Sequence, residues 1–264
     1  MYEFNYHRAT SVADAAAKLA AAADAKLMAG GQTLIAALKL RLASPSDVID
    51  LRGVAELRGI RKDGGAISVG ALTTHAEVAA SKDVLQAVPA LASLAASIGD
   101  PMVRNMGTLG GSIANNDPAA DYPAGVLALG ATVHTNKRKI AAADFFTGMY
   151  ETALQPGEII TSVSFPLPKR AGYAKFKNPA SRYAIVGVFV AETANGVRVA
   201  VTGAGPCVFR VPELEKALGS RFSADAVANI KVAAAGLKSD MHASAEYRAH
   251  LVTVMAKRAV AAAT

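Results

Sequence analysis

The chain opens on short runs whose apolar positions alternate between helical and strand spacing. Ser11 with Asp14 three residues later has the spacing of a capping box, so an alanine-rich helix is expected to run to about Ala23. Ala25 to Met28 reads as a short strand, broken by Ala29-Gly30-Gly31-Gln32-Thr33. Leu34 to Leu42 returns to helical spacing and stops ahead of Ser44-Pro45, because a proline pushes the residue before it out of the helical region. Asp47 to Leu51 then reads as another strand, which makes the opening segment a small βαβ-like unit.

Further along, Leu57–Arg61 and Ala66–Val69 flank Lys62-Asp63-Gly64-Gly65 as a hairpin. Thr74 with Glu77 predicts a capped short helix, and Val84 to Ile98 a longer one. From Gly99 to Asp121 the periodicity gives way to glycine, asparagine and proline, so a long loop is expected, and its apolar flanks argue for a functional one. Pro123–Leu129 reads as helix, Ala131–Thr135 with Lys139–Ala142 as a second hairpin, and Ile159–Phe165 as a strand.

The proline-bracketed stretch Pro166–Gly172 is the candidate domain boundary. It divides the chain into 1–170, with lobes of about 1–55 and 56–170, and 171–264. Beyond it come strand-like runs at Tyr173–Lys177, Ala184–Thr193 and Val197–Gly203, the last two joined across Asn195-Gly196. Helical segments follow near Pro212–Leu218, Ala224–Leu237 and Ser244–Ala262. Strands followed by helices predict an α+β layer, a three-stranded sheet with helices.

Composition narrows the function more than the fold. Hydrophobic residues make up 52% of the 264, enough for a sizeable core and against disorder. A formal charge of +7 raises nucleic acid as a partner, but the short basic run Lys137-Arg138-Lys139 has no interleaved aromatics to stack on bases. No nucleic-acid role is expected. A phosphate-bearing cofactor or an acidic partner explains the charge as well.

Cys207 is the single cysteine, so this chain forms no internal disulfide and cannot supply the four thiolates of an iron–sulfur cluster. His7, His75, His134, His242 and His250 lack metal-ligand spacing, and no metal site is expected. Met1-Tyr2-Glu3-Phe4 lacks a signal-peptide pattern and no apolar run has transmembrane length, which points to a cytoplasmic protein unless a partner carries it out.

Two glycine-rich turns carry the candidate chemistry. Met28-Ala29-Gly30-Gly31-Gln32-Thr33-Leu34 stands between a strand and a helix, where glycines admit a ligand close to the backbone and free N–H groups favour a pyrophosphate. An ordinary strand-to-helix turn would look the same. The turn is no Rossmann fingerprint, because G-x-G-x-x-G spacing is missing. The second runs from Asn105 through Thr108-Leu109-Gly110-Gly111-Ser112 to Asn115, Asn116, Asp117 and Asp121. It mixes hydroxyl, amide and carboxylate groups that suit a dinucleotide's ribityl and phosphate oxygens, or simply a structural Asx-rich loop.

Together AGGQTL (Ala29–Leu34) and TLGGSIANNDPAAD (Thr108–Asp121) resemble the flavin-binding medium subunit of the carbon monoxide dehydrogenase and xanthine dehydrogenase family. GEIITSVSFP (Gly157–Pro166), YAKFKNPASRYAIVGV (Tyr173–Val188) and HASAEYRAHLVTVMAKRAV (His242–Val260) agree with it in order and spacing, so the likeness covers nearly the whole chain.

The resemblance implies an α+β fold: a two-lobed FAD-binding domain of the vanillyl-alcohol-oxidase (PCMH) type, then a C-terminal α+β domain. It implies FAD between the lobes, with Met28, Ala29, Gly30, Gly31, Gln32, Thr33 and Leu34 and with Thr108, Gly110 and Gly111 around its pyrophosphate. By the same analogy Asp121 meets the polar linker, Ile160 packs near the ring and Lys177 sits by its polar edge. Tyr183 and Asn115 are expected to face the cofactor too. Gln32 stands where covalently flavinylated relatives of the broad fold often carry histidine, so the FAD is expected to be non-covalent. A single cysteine leaves no place for the extra four-iron cluster of the benzoyl-CoA-reductase-like branch.

The implied function is electron transfer within a molybdenum hydroxylase, with no catalytic acid or base on this chain. A large partner would hold molybdopterin, a small one the two-iron clusters, and the assembly would be a dimer of heterotrimers. The alternatives are a self-sufficient FAD-dependent reductase or oxidase of the same fold, for which Arg182, Arg198 and Arg210 are present but no evident proton donor, and a non-redox nucleotide-binding module. The substrate and the electron acceptor are not written in this chain. All of it requires Gly31 and Gly110 to face one cavity.

Overall fold

A computed structural model describes all residues from Met1 to Thr264. The opening segment forms a three-stranded parallel sheet in the order Asn5–Arg8, Asp47–Asp50, Ala25–Met28, with helices Val12–Ala21 and Leu34–Lys39 as the crossovers. Ser11 caps the first helix by accepting from the Asp14 N–H at 3.0 Å, and the Asp14 carboxylate accepts from the Thr10 N–H at 2.9 Å. Asn5–Arg8 carries no apolar alternation and was invisible to pattern. It is a polar edge strand, fixed by its ladder and by Tyr6 donating to Asp50 at 2.6 Å.

The second lobe is a five-stranded antiparallel sheet: Ile60–Asp63, Ala66–Gly70, Ile160–Pro166, Thr132–Thr135, Lys139–Ala141. Both expected hairpins supply its two sides, and Ile160–Pro166 closes between them. Thr74 and Glu77 form the capping box of helix His75–Ala80. The single helix expected over 84–98 is two, Lys82–Ala87 and Pro89–Ala96. Pro89 has no N–H to continue the first, so Val88 leaves the helical region with φ −145° and ψ 73°.

The long loop expected from Gly99 to Asp121 is also a correction. It holds two short helices, Pro101–Met106 and Leu109–Asn115. Asp100 caps the first with proline at the opening position, and the Thr108 hydroxyl caps the second by accepting from the Gly111 N–H at 3.1 Å. Asn116 ends it in the left-handed region with φ 43°. Glycine-rich composition hid a pair of ordinary start signals.

The C-terminal sheet is antiparallel, in the order Arg170–Lys177, Ala184–Thr193, Gly196–Thr202, Phe209–Arg210. It gains a fourth, two-residue strand beyond the three expected. The helix expected over 224–237 extends only from Ala224 to Val227, and the remainder is irregular, with Gly236 at φ +81°. Helices Pro212–Ser220 and Ala245–Ala261 stand close to expectation.

Strand Ala184–Thr193 is buried on both faces, which explains its near-continuous apolar run. Phe189 and Ala191 join the main core with helices Pro89–Ala96 and Tyr122–Leu129, while Val186, Val188 and Val190 pack on helix Ala245–Ala261. Hydrogen bonds fasten the same junction: the Thr202 hydroxyl donates to Ala120 O at 2.6 Å, and the Gly203 N–H to Pro118 O at 2.8 Å. No helix is long and apolar enough to cross a membrane.

Candidate functional site: a cleft between two glycine turns

Residues 29–33 leave strand Ala25–Met28 and enter helix Leu34–Lys39. Gly31 lies at φ +74°, a conformation that costs a side-chain-bearing residue but not glycine. None of the N–H groups from Gly30 to Leu34 donates to another group of the chain, and Thr33 does not cap its own helix. Such a run of unpaired amides on a concave backbone is an anion nest. It needs a ligand or water to satisfy it.

The second turn is built differently. Leu109 N–H donates to Thr73 O at 3.1 Å, Gly110 N–H to Ala71 O at 2.9 Å and Ser112 N–H to Thr108 O at 3.0 Å. These amides are spent inside the protein, so this turn contributes proximity rather than a nest. Gly110 is pressed on Ala71, whose Cβ would stand 2.6 Å from an added methyl. A methyl on Gly111 would lie 3.5 Å from the Ala29 Cβ, and one on Gly30 would meet Met106 O at 1.9 Å. The two turns therefore touch, and glycine is what lets them.

They share one cleft of about 760 Å³, within the size range of roughly 300–1,000 Å³ typical of ligand pockets. Residues 28–34, Thr108, Gly110, Gly111, Asn115, Asp121, Ile160 and Tyr183 all line it. Gly31 and Gly110 face the same cavity, as the sequence argument required. The lining mixes apolar side chains, Leu51, Leu72, Ile98, Val103, Ile159 and Ile160 among them, with the free amides, hydroxyls and Asn115. Such a mixture suits a ligand with an aromatic part and an anionic part.

Lys177 does not line the cleft. Strand alternation would put Lys175 and Lys177 on one face, but the register shifts between Phe176 and Lys177, and Lys177 ends up exposed. Lys175 does not line it either: its ammonium lies behind the wall, 2.9 Å from the Asp121 carboxylate, with both side chains buried. Tyr173 donates its hydroxyl to the same carboxylate. Burial pushes the Asp121 carboxyl above the ordinary carboxylate range, against the pull of Lys175 and Tyr173. Asp121 thus reaches the cleft with its carboxylate already engaged behind the wall, a tie between helix Tyr122–Leu129 and the C-terminal sheet.

Among the lining residues outside the expected set are His75, Arg182 and Tyr150. His75 was absorbed into a helix-start motif. Arg182, at φ 63°, donates to Gly99 O at 3.3 Å and draws the loop before strand Ala184–Thr193 toward the helix pair of residues 101–115. Tyr150, at φ 58°, donates to Asp117 at 3.3 Å. No local pattern marks the last two, because each reaches the cleft only through the meeting of distant loops.

A two-lobed domain with a dinucleotide-sized cleft, closed by a C-terminal sheet, defines a nucleotide-cofactor protein. The comparisons make it specific. Residues 2–168 match the FAD binding domain in molybdopterin dehydrogenase, and residues 171–263 the CO dehydrogenase flavoprotein C-terminal domain. The chain is 38% identical to the nicotine 6-hydroxylase medium subunit of Paenarthrobacter nicotinovorans, over 97% of this chain and 95% of that one. It is 36% identical to the carbon monoxide dehydrogenase medium chain of Afipia carboxidovorans, again over 97% and 95%. A crystal structure of the Cu,Mo-CO dehydrogenase superposes with a TM-score of 0.90 at 35% identity, covering 99% of this chain and 98% of that one.

The chain belongs to the FAD-binding family of the molybdopterin dehydrogenases. It is an oxidoreductase component whose cofactor is FAD, and the resemblance carried by the two glycine turns holds for family, fold and cofactor.

Proposed function

We propose that the chain is the electron-transfer subunit of a heteromeric molybdenum hydroxylase, taking electrons from a partner's two-iron clusters and passing them to an external acceptor. The observation that carries this reading is the convergence of both glycine turns, Ile160 and Tyr183 on one cleft in a chain homologous from end to end to medium subunits. The cofactor domain is taken as 1–170, with lobes of about 1–55 and 56–170, and the C-terminal domain as 171–264.

Bound FAD supplies the redox chemistry, exchanging electron pairs and single electrons. The chain's own residues bind and shield. The amides of Gly30 to Leu34 hold the diphosphate, Ile160 and Leu72 keep water from the aromatic end, and Tyr183 covers the cleft from the C-terminal side. Gln32 offers no imidazole for a covalent link, so the cofactor is held by contacts alone. The arginines that a self-sufficient reductase would gather around its substrate are scattered: Arg210 pairs with Glu215 at 2.7 Å, while Arg182 donates to Gly99 O.

Molybdopterin and the two-iron clusters belong to a large and a small partner subunit, and the assembly is a dimer of heterotrimers. The single Cys207 fits this division of labour. Native mass spectrometry of the complex with metal analysis tests it. One FAD per copy of this chain, with molybdenum and iron in co-purifying subunits, is the expected result. A flavin-loaded homo-oligomer that oxidises or reduces an organic substrate without a molybdenum partner would replace the proposal with the self-sufficient enzyme. A colourless chain that takes up no FAD would sink both.

A further inference from the structure

The second glycine turn leaves a problem: it borders the cleft yet spends its amides internally. A side chain beside it has the opposite character. His75 is 5% exposed, and its backbone N–H donates to Gly107 O at 3.0 Å, which fixes helix His75–Ala80 against that turn. Its Nδ1 is buried with no hydrogen-bond partner. So is the hydroxyl of Tyr122, whose ring lies 5.3 Å from the imidazole, centroid to centroid.

The other ring nitrogen faces elsewhere. A methyl on Gly107 would stand 2.5 Å from His75 Nε2, so glycine is what makes room for the imidazole edge at the turn. His75 forms part of the cleft wall between Val103 and Thr108. Nε2 has no partner in the chain either, but unlike Nδ1 it is not sealed off. Burial, helped by the charge of Arg104, lowers the imidazole to about 4, so the ring is neutral and carries one N–H.

We infer that His75 is a cofactor-binding residue: it donates Nε2–H, from beside the second glycine turn, to a diphosphate oxygen of the dinucleotide. This rests on the reading that the cleft holds FAD. A neutral ring carries one N–H, and Nε2 is the nitrogen that is not sealed off, so the proton can be donated from there and not from the buried, unpartnered Nδ1. A nearly buried imidazole with no partner on either nitrogen costs more than an apolar side chain in the same place. An oxyanion in the cleft offsets that cost and receives the donor that the turn itself does not provide.

The experiment compares the full chain, stripped of flavin, with His75→Leu and His75→Gln by fluorescence titration with FAD and by melting without it. Leucine removes the donor, whereas the glutamine amide nitrogen reaches where Nε2 stands. A hydrogen bond to a charged group is worth about 1.5–3 kcal/mol, so His75→Leu is expected to weaken FAD binding by about 10- to 150-fold. His75→Gln should remain within about threefold of the parent, and neither should lower the flavin-free melting temperature in proportion.

Parent-like FAD affinity in His75→Leu overturns the inference. So does a loss of affinity that glutamine fails to rescue and that tracks a fallen flavin-free melting temperature, the mark of a packing role. If a variant does not fold, nitrogen NMR of the parent's histidines decides: an Nε2–H tautomer whose resonance moves on adding FAD supports the inference, and Nδ1–H, or no movement, refutes it. A parent that binds no FAD at all would instead refute the cofactor reading.

Discussion

A methyl group placed on Gly30 asks whether contact between the two turns sets cofactor affinity. The added Cβ would lie 1.9 Å from Met106 O, 2.6 Å from its carbonyl carbon and 3.0 Å from the Gly107 Cα. All three are backbone atoms, so no side chain can swing aside. Ordinary contact begins near 3.4 Å, and one segment must therefore retreat from the other by about 1.5 Å. Forcing extra carbon into a close-packed contact costs about 1–3 kcal/mol, more than the 0.4–1 kcal/mol that alanine returns by stiffening the unfolded chain. The retreat displaces the amides of residues 30–34, which are those left unpaired for the diphosphate. Gly30→Ala is expected to weaken FAD binding by about 10- to 100-fold, since each 1.4 kcal/mol is tenfold, and to lower flavin-free stability by about 1–3 kcal/mol. Gly65→Ala is the control, because nothing lies within 4 Å of its added Cβ and its φ is not left-handed. Flavin per chain after desalting, fluorescence titration and thermal melting read the outcome. Gly30→Ala protein that retains stoichiometric FAD at parental affinity would show that the turns tolerate separation, and the argument from their contact would fail.

Two further expectations come from the charged groups around the cleft. Lys175→Met strands the buried Asp121 carboxylate and should cost about 3–5 kcal/mol in urea denaturation, whereas exposed Lys177→Met should stay within about 0.5 kcal/mol; equal effects would refute the buried pairing of Lys175 with Asp121. Hydrogen bonds from Arg138 hold the Glu158 carboxyl down to about 2. Its folded pKa lies below the unfolded value of about 4.3, so its contribution is present above that pH and is lost as pH falls toward 2. Denaturation curves from pH 6 to 2 should therefore be flatter for Glu158→Gln than for the parent, and identical acid slopes would show the ion pair to be inconsequential.

What the sequence made legible was local. Ser11 and Thr74 announce helix starts because a cap and its first turn are neighbours in the chain, and both accept the expected N–H. The glycine turns were legible for the same reason. What it hid depended on partners far away. Asn5–Arg8 is a strand because Asp47–Asp50 lies beside it, and nothing in Asn-Tyr-His-Arg says so. Lys177 was expected at the cofactor on the strength of a motif, but a one-residue slip in the ladder with Ala184–Thr193 decides which lysine turns inward. Asp121 lines the cleft where the resemblance puts it, but its bonds to Tyr173 and Lys175, more than fifty positions away, leave no mark on the local pattern.

That last arrangement explains how a chain so rich in alanine keeps its cleft in shape. Alanine helices bury little area each, so the lobes need cross-links that do not depend on bulk. One set is polar: Asp121 with Lys175 and Tyr173, and Thr202 and Gly203 with the carbonyls of Ala120 and Pro118. The other is apolar: Phe189 and Ala171 enter the main core from the C-terminal sheet. The polar set converges on residues 118–121, the segment that leaves the second glycine turn and leads into helix Tyr122–Leu129. The C-terminal sheet therefore does more than supply Tyr183 to the rim. By holding the exit of the second turn, it holds that turn against the first, and so keeps the nest at Gly30 to Leu34 facing a cleft of fixed width.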